Sequence, residues 1–317
     1  MKVLIADKMS PKAKELLEKN GLEADVKIGL PEEELVKIIG EYDAMIVRSD
    51  TIVTKKILVA GTKLKIVGRA GVGTDNIDKD AAQEIGIAVE NTPFGNTNAA
   101  AEHTLTLLMM LAKHILHSNE KLKKGEWDRN FKGRELKGKT IGLIGFGNVG
   151  SKVGLVAKAL EMNVIVYDPF VTDEKLKEFG FTRTTFEYLI SNSDYISPHV
   201  PLNEKTQNMI DKEQFDKMKN GVRILNVARG GVINEQALLD ALNSDKVAAA
   251  ALDVYSDEPP TNRALIESSK VIATPHLGAS TEEAQENVAL DVAEQIVQGL
   301  KNGKVMFCVN NINELRP

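Results

Sequence analysis

Short apolar runs alternate with amphipathic stretches along residues 1–92. Four runs rich in valine and isoleucine end at polar or glycine residues, which is typical of buried parallel strands: KVLIAD, AMIVRS, LKIVGRA and IAVENT. Two stretches between them, SPKAKELLEKN and LPEEELVKIIG, predict helices, because each has a proline near its start and a glycine after its end. This alternation predicts an α/β fold with a parallel sheet covered by helices.

A second alternating series follows residue 138. Six apolar runs predict its strands: KTIGLIG, NVIVYD, YISPHV, RILNVA, AAALDV and KVIATPH. The apolar segment 97–122 lies before this series and predicts one long helix, whose apolar surface is too wide for a helix that faces solvent.

The last long pattern, over residues 280–303, predicts a helix with one buried stripe and a capping box formed by Ser280 and Glu283. The following tail, KVMFCVNN, is apolar enough to return to a folded domain. We therefore expect two doubly wound parallel-sheet domains. Residues 1–96 and 286–317 form a flavodoxin-like substrate domain, and residues 97–285 form a Rossmann domain inserted into it.

Composition limits the possible partners. The net charge of −5 gives no long-range attraction to nucleic acid or to an anionic membrane, so neither partner is expected. The single cysteine, Cys308, excludes an intrachain disulfide and suits a reducing cytoplasm, where we expect the protein to act. The start, MKVLIAD, is too short for a secretory signal, and TLTLLMMLA is about half of a membrane span. No metal site is predicted.

The segment TIGLIGFGNVG predicts a dinucleotide site. Gly145, Gly147 and Gly150 have G-x-G-x-x-G spacing between a predicted strand and a predicted helix. The helix N-terminus favours a pyrophosphate, because its free N–H groups and its dipole attract an anion. Asp168 ends the next strand and would accept hydrogen bonds from the ribose hydroxyls. Since Asp168 would repel a 2′-phosphate, NAD is expected rather than NADP.

Three polar residues follow successive strands at the carboxyl edge of this second sheet, where open α/β sheets bind ligands. His276 is the candidate acid–base group, because imidazole titrates near neutrality and a hydride transfer needs a matching proton transfer. Glu258 is the candidate partner that fixes the tautomer of His276. Arg229 is the candidate clamp for a substrate carboxylate. Asp253 is placed to bind the nicotinamide carboxamide.

Six motifs together resemble the D-isomer-specific 2-hydroxyacid dehydrogenases, and among them the phosphoglycerate-oxidising members most closely: GFGNVG, YDP, HVPL, NVARGGVINEQAL, ALDVYSDEPP and TPHLGAST. The resemblance covers the chain from about residue 40 and places the catalytic arginine, glutamate and histidine on Arg229, Glu258 and His276. It implies further cofactor contacts at Asn148, Val149, Val200, Val227, Ala228, Gly278 and Ala279. It implies substrate contacts at Arg48, Ser49, Val72, Gly73 and Asn96.

The implied reaction is NAD-dependent oxidation of D-3-phosphoglycerate to 3-phosphohydroxypyruvate in serine biosynthesis. The segment GEWDRNFKGREL resembles an arm that reaches a second subunit in a homodimer or homotetramer, where Arg129, Lys132 or Arg134 would complete a phosphate site. Because the chain stops at Pro317, serine feedback through a C-terminal regulatory domain is not expected. The alternatives are a glyoxylate or hydroxypyruvate reductase, then a formate dehydrogenase, and, from another class, an NAD-sensing corepressor.

Overall fold

The computed structural model describes residues 1–312 and 314–316. These form two compact units, one made of residues 1–97 with the segment from Ser280 onward, the other of Asn98–Ala279. The chain returns to the first unit at Ser280, before the boundary that the sequence predicted between residues 285 and 286. The reason is that the helix Glu282–Asn302 is continuous and belongs wholly to the first unit.

The first unit contains a five-stranded sheet in the order β2-β1-β3-β4-β5, with every pairing parallel. Its strands are β1 Lys2–Ile5, β2 Glu23–Val26, β3 Ala44–Val47, β4 Ile66–Arg69 and β5 Ala88–Asn91. Its helices are α1 Lys12–Lys19, α2 Glu32–Ile38, α3 Lys55–Ala60 and α4 Lys79–Ile85, with a 3₁₀ turn at Ile39–Glu41. This strand order is that of flavodoxin-like sheets.

The last helix, which we number α13 (Glu282–Asn302), completes the core of this unit. It packs closely on β4, since a Cβ atom on Gly68 would lie 2.5 Å from Val292 Cγ2. Its N-cap is Thr281, whose hydroxyl accepts the N–H of Ala284. The N-cap predicted at Ser280 is therefore wrong by one residue, and the predicted capping box is wrong, because the third helical position is Ala284, whose side chain cannot accept a hydrogen bond.

The second unit contains a six-stranded parallel sheet in the order β11-β10-β9-β8-β6-β7. Its strands are β6 Thr140–Ile144, β7 Asn163–Tyr167, β8 Tyr195–Pro198, β9 Val222–Asn226, β10 Val247–Leu252 and β11 Val271–Ala273. Its helices are α5 Thr97–Lys113, α6 Ile115–Lys123, α7 Asn148–Ala159, α8 Asp173–Glu178, α9 Phe186–Asn192, α10 Lys212–Lys217, α11 Glu235–Asn243 and α12 Arg263–Ile266. Strand order reverses between β6 and β8, which confirms the predicted pair of doubly wound sheets.

The predicted helix over residues 97–122 is interrupted. His114 has a left-handed backbone (φ 53°), which ends α5 at Lys113 and starts α6 at Ile115. A left-handed residue cannot continue the right-handed hydrogen-bond ladder, so two shorter helices replace the predicted one. In the described residues, no helix combines the length and the apolar character needed to cross a bilayer.

The C-terminal tail pairs with β5 in the first unit. Val309 donates its N–H to Val89 O (2.8 Å), and Asn91 donates to Phe307 O (3.2 Å). The buried carboxylate of Glu90 accepts the N–H groups of Met306 and Phe307. The Glu90 carboxylate therefore stabilises the tail in addition to the backbone hydrogen bonds.

Glu90 should make the stability of the protein depend on pH. Burial raises its pKa above the ordinary 4.5, against the opposing effect of the two N–H groups. The folded state thus binds the Glu90 proton more tightly than the unfolded state. The contribution of Glu90 to stability is therefore largest below pH 4.5 and is lost as the pH rises from 4.5 through the raised pKa. Urea unfolding across this range should show a flatter profile for Glu90→Gln than for wild type or the exposed control Glu33→Gln; parallel profiles would contradict it.

Candidate active site

The glycine turn after β6 tolerates no side chain at two positions. Gly145 has a positive φ of 97°, and a Cβ atom there would lie 2.6 Å from His199 O. A Cβ atom on Gly150 would lie 2.5 Å from Gly145 O, where α7 crosses the turn. The turn is therefore close-packed against the end of β8.

The start of α7 is open in contrast. Gly147 is the N-cap residue, and no atom of the described residues lies within 4 Å of the place where its Cβ would be. Asn148 and Val149 form the first turn, whose N–H groups lack acceptors within the helix. At this end of the helix, an anion can approach the backbone N–H groups without meeting a side chain at residue 147.

Asp168 follows β7 and ties the turn to the neighbouring loop. Its Oδ2 accepts the N–H of Phe146 (2.7 Å), and its Oδ1 accepts the N–H groups of Phe170 (2.8 Å) and Val171 (3.1 Å). A carboxylate offers about four acceptor positions, so capacity for a hydroxyl donor remains. Asp168 thus has a structural task that sequence reasoning did not foresee.

His199 lies beneath the glycine turn, just before Val200. Its Nε2 is 3.0 Å from Ser197 Oγ, and burial lowers its pKa to about 4. The ring is therefore neutral at physiological pH and adds no charge to the floor of the turn. The HVPL motif marked this segment, but nothing in the sequence indicated that the histidine is buried.

Glu258 and His276 form a pair at the carboxyl edge of the second sheet. His276 Nδ1 lies 2.7 Å from Glu258 Oε2, and Glu258 Oε1 accepts the N–H of Tyr255 (3.2 Å). Burial alone would raise the pKa of Glu258, but the hydrogen bond and charge of His276, with the Tyr255 N–H, outweigh it and lower the pKa. The carboxylate therefore stays ionised beside the imidazole.

The turn that carries His276 is built around Asp253. His276 has a left-handed backbone (φ 53°), and its N–H donates to Asp253 O (2.9 Å). The Asp253 carboxylate, which is fully buried, accepts the N–H groups of Leu277 (2.7 Å) and Gly278 (2.8 Å). Ala279 ends this unit. Asp253 therefore holds the turn through three backbone bonds.

His103 on α5 also contacts this turn. Its Nε2 lies 3.2 Å from both Asp253 Oδ1 and Thr274 Oγ1, and the Thr274 hydroxyl donates to Asp253 Oδ1 (2.6 Å). Burial would raise the pKa of Asp253, but these bonds and the N–H groups of Leu277 and Gly278 lower it. The sequence alone gives no sign of this contact, because the partner of His103 is 150 residues away.

Arg229 follows β9 on a loop held by Asn226. Asn226 is buried, accepts the N–H of Ala228 (3.1 Å) and donates to Arg229 O (2.9 Å). The Arg229 guanidinium also donates to Ala228 O (2.7 Å). This loop starts at Val227, so the predicted cofactor residues Val227 and Ala228 lie on the same turn as the predicted carboxylate clamp.

The predicted substrate residues lie in the first unit, after three neighbouring strands. Arg48 and Ser49 follow β3, Val72 and Gly73 follow β4, and Asn96 follows β5. The N–H of Arg48 donates to Asp7 Oδ2 (2.5 Å), and Asn76 donates to Arg48 O (2.7 Å). All therefore lie at the carboxyl edge of the first sheet, and Asp7 and Asn76 are supports that the sequence did not reveal.

Residues 105–278 match the family described as "D-isomer specific 2-hydroxyacid dehydrogenase, NAD binding domain", which covers more than half of the chain. The chain belongs to this family. The matched residues lie in the second unit, which is thus the NAD-binding domain of this family.

Two sequence relatives of this dehydrogenase carry the same name. The D-3-phosphoglycerate dehydrogenase of Archaeoglobus fulgidus is 47% identical over 98% of this chain and 59% of its own length. The enzyme of that name from Synechocystis is 49% identical over 93% of this chain and 53% of its own. The chain therefore spans a little over half the length of these relatives.

Two solved structures cover nearly the whole dehydrogenase chain. A glyoxylate reductase from Paecilomyes thermophila superposes with a TM-score of 0.90 at 29% identity, covering 98% of each chain. The NAD⁺-bound 3-phosphoglycerate dehydrogenase of Entamoeba histolytica superposes with a TM-score of 0.84 at 33% identity, covering 98% of this chain and 99% of its own.

Proposed function

We propose that this dehydrogenase oxidises D-3-phosphoglycerate to 3-phosphohydroxypyruvate with NAD, the first step of serine synthesis, in the cytoplasm. The Glu258–His276 pair carries the proposal of a proton-coupled hydride transfer, because a carboxylate–imidazole pair lies on the same sheet edge as the glycine turn. The choice of substrate follows the relatives of 42–49% identity that are named for it.

The residues of the second unit fit NAD. The open N-terminus of α7 would hold the pyrophosphate, with Asn148 and Val149 in its first turn, and Asp168 has acceptor capacity for the adenosine ribose. The rest of the surface that contacts NAD would be formed by Val200, Val227, Ala228, Gly278 and Ala279. When bound, NAD supplies the hydride acceptor. Because Asp253 is buried and bonded to the turn, its proposed contact with the carboxamide would be made alongside its support of His276.

The proton chemistry falls to this chain's own side chains. With Nδ1 bonded to Glu258, His276 would take the substrate hydroxyl proton at Nε2, and the adjacent carboxylate stabilises the imidazolium that results. Arg229 would bind the substrate carboxylate through its planar fork. In the first unit, the residues proposed to bind the remaining substrate oxygens are Arg48, Ser49, Val72, Gly73 and Asn96.

A comparison of substrates tests the proposal. We expect kcat/KM with D-3-phosphoglycerate and NAD to exceed that with D-glycerate by at least a hundredfold, and NADP to support little turnover. A spectrophotometric screen of D-2-hydroxy acids with both cofactors measures this. Equal rates for the phosphorylated and unphosphorylated acids would favour a glyoxylate or hydroxypyruvate reductase, the alternative that the TM-score of 0.90 supports.

A homodimer or homotetramer is the proposed assembly. Apolar side chains on α5, α6 and the following arm are exposed on the second unit: Met109, Ile115, Leu116, Leu122 and Trp127, the last at 80%. Exposed apolar surface of this kind marks contact sites between proteins. Sedimentation of wild type and Trp127→Ala would test it, with the variant shifted toward monomer.

His103 is expected to support turnover through the His276 turn. Replacing it by leucine removes the Nε2 contact to the buried carboxylate of Asp253, so the turn loses one of its anchors. We expect kcat of His103→Leu to fall about tenfold with KM for the hydroxy acid nearly unchanged, since positioning errors of this kind reduce the rate of the chemical step. His103→Gln should recover part of the loss.

The matched control is His117→Leu, because His117 packs on the ring of Phe131 instead (centroids 4.6 Å apart). If both leucine variants lose the same kcat, the loss reflects general damage and the positioning role is wrong.

A further inference from the structure

Arg223 is a buried arginine at the amino end of β9, on the edge of the second sheet opposite the candidate active site. It pairs with Tyr195 on β8 and with Ala249 on β10, and only 4% of it is exposed. Its guanidinium lies over the Tyr195 ring, 5.7 Å from the centroid. The backbone N–H of Arg223 donates to Asp194 O (3.0 Å), but the Nε of its guanidinium is shielded from solvent and has no hydrogen-bond partner among the described residues.

The neighbours of Arg223 are also donors. The hydroxyl of Tyr195 is buried and without a hydrogen-bond partner in the described part of the chain. Arg134 lies beside the start of β9, with Nη2 3.9 Å from where a Gly221 Cβ would be. Asp194 is the nearest acid, but its carboxylate is engaged by the N–H of Thr140 (2.8 Å) and by Lys219 (3.4 Å).

A buried cation without a counter-charge costs several kcal/mol, and a second arginine nearby adds repulsion. The same charges also affect His114. Burial lowers the pKa of His114 most, and the charges of Arg223, His117 and Arg134 lower it further, so the imidazole is neutral. Ala249, the β10 residue that pairs with Arg223, lines a neighbouring cavity of about 430 Å³ together with His114.

We propose that Arg223, Tyr195 and Arg134 bind a small anion with several acceptor oxygens, at a site separate from the catalytic one. The donor set defines the ligand class, because a guanidinium fork and a phenol hydroxyl match a tetrahedral oxoanion or a carboxylate. Arg134 lies at the amino edge of its own sheet, and the proposed site does not depend on the reaction proposed above.

Thermal unfolding of the full chain in inorganic phosphate, in acetate and in chloride at matched ionic strength tests the site. At a phosphate concentration about a hundredfold above Kd, the Tm of wild type should rise by about 5 °C over chloride. A rise in phosphate alone indicates a tetrahedral oxoanion, and an equal rise in acetate indicates a carboxylate; either supports the site.

Two variants of the site and two control variants decide the location. Arg223→Met should be at least as stable as wild type in chloride and should lose the phosphate shift, because it removes the unpaired charge. Tyr195→Phe should reduce the shift. Arg263→Met, a surface arginine paired with Glu267 (2.7 Å), and Gly147→Ala at the dinucleotide turn should keep it.

The proposal is overturned if the wild-type shift is absent, or if it persists in Arg223→Met, since the anion then binds elsewhere. It is also overturned if Arg223→Met is strongly destabilised in chloride and the Tm of wild type rises with protein concentration but not with phosphate. That pattern would assign the guanidinium to a carboxylate of a second copy.

Discussion

Replacing His276 with asparagine is expected to lower kcat by about a thousandfold. General acid–base catalysis by a positioned side chain contributes about 10²–10⁴-fold, and asparagine keeps the shape of the turn but cannot take the proton. The bond between Nδ1 and Glu258 (2.7 Å) fixes the ring so that Nε2 is the reacting nitrogen. NAD affinity, measured by calorimetry, should change little.

The Glu258→Gln variant shows whether the carboxylate acts through the ring. Gln can still accept the Nδ1 proton but carries no charge, so it stabilises the imidazolium less. We expect a smaller loss, about tenfold to a hundredfold in kcat, with a changed pH profile. The same loss for His276→Asn and for the distant control His117→Asn would mean that neither histidine takes the proton, and near-normal turnover of His276→Asn would rule out the mechanism.

Replacing Gly230 with alanine is expected to destabilise the second unit by about 3 kcal/mol or more. An added Cβ would overlap the carbonyl oxygen of Tyr255 and lie 2.7 Å from the N atom of Ser256. Both obstacles are backbone, so the loop after β9 must separate from the loop after β10. Overpacking that forces the backbone to shift costs about 1–3 kcal/mol or more.

Gly147→Ala is the matched control for that substitution. Its Cβ meets nothing within 4 Å in the described residues, so unfolding in urea should match that of wild type. It should nevertheless weaken NAD binding, because the methyl group would stand where the pyrophosphate approaches the backbone. Equal stability of Gly230→Ala and Gly147→Ala would contradict the close packing of the two loops.

The elements that the sequence predicted are those whose local pattern and tertiary role agree. Four strands of the second sheet (β6, β8, β9 and β10) are apolar and buried at most positions, so their runs stand out. The strand EADV (Glu23–Val26) was missed, because only Ala24 is buried in it and the rest reads as polar. Helices α3 and α4 were missed because six or seven residues give too few turns for a clear period, and neither starts near a proline as α1 and α2 do.

The residues of the candidate site also fall into those that the sequence predicted and those that it did not. The glycine turn, Asp168 and the Glu258–His276 pair were predictable, since each lies at the end of a recognisable strand. The supports were not: His103, Asn226 and His199 act through contacts with residues distant in the chain or through burial. A lone polar residue in a helix or strand carries no local sign of such a contact, so only the folded structure reveals it.

The discontinuity of the first unit has a consequence for how the protein folds as it is made. Residues 98–279 are contiguous, so their core is complete before the chain is finished. The first unit must wait for α13, which supplies Val288, Val292 and Ile296 to a core that also contains Val3 and Ile5. Its earliest-synthesised strands therefore keep an apolar face uncovered until α13 has left the ribosome, and this unit should be the one that depends on chaperones.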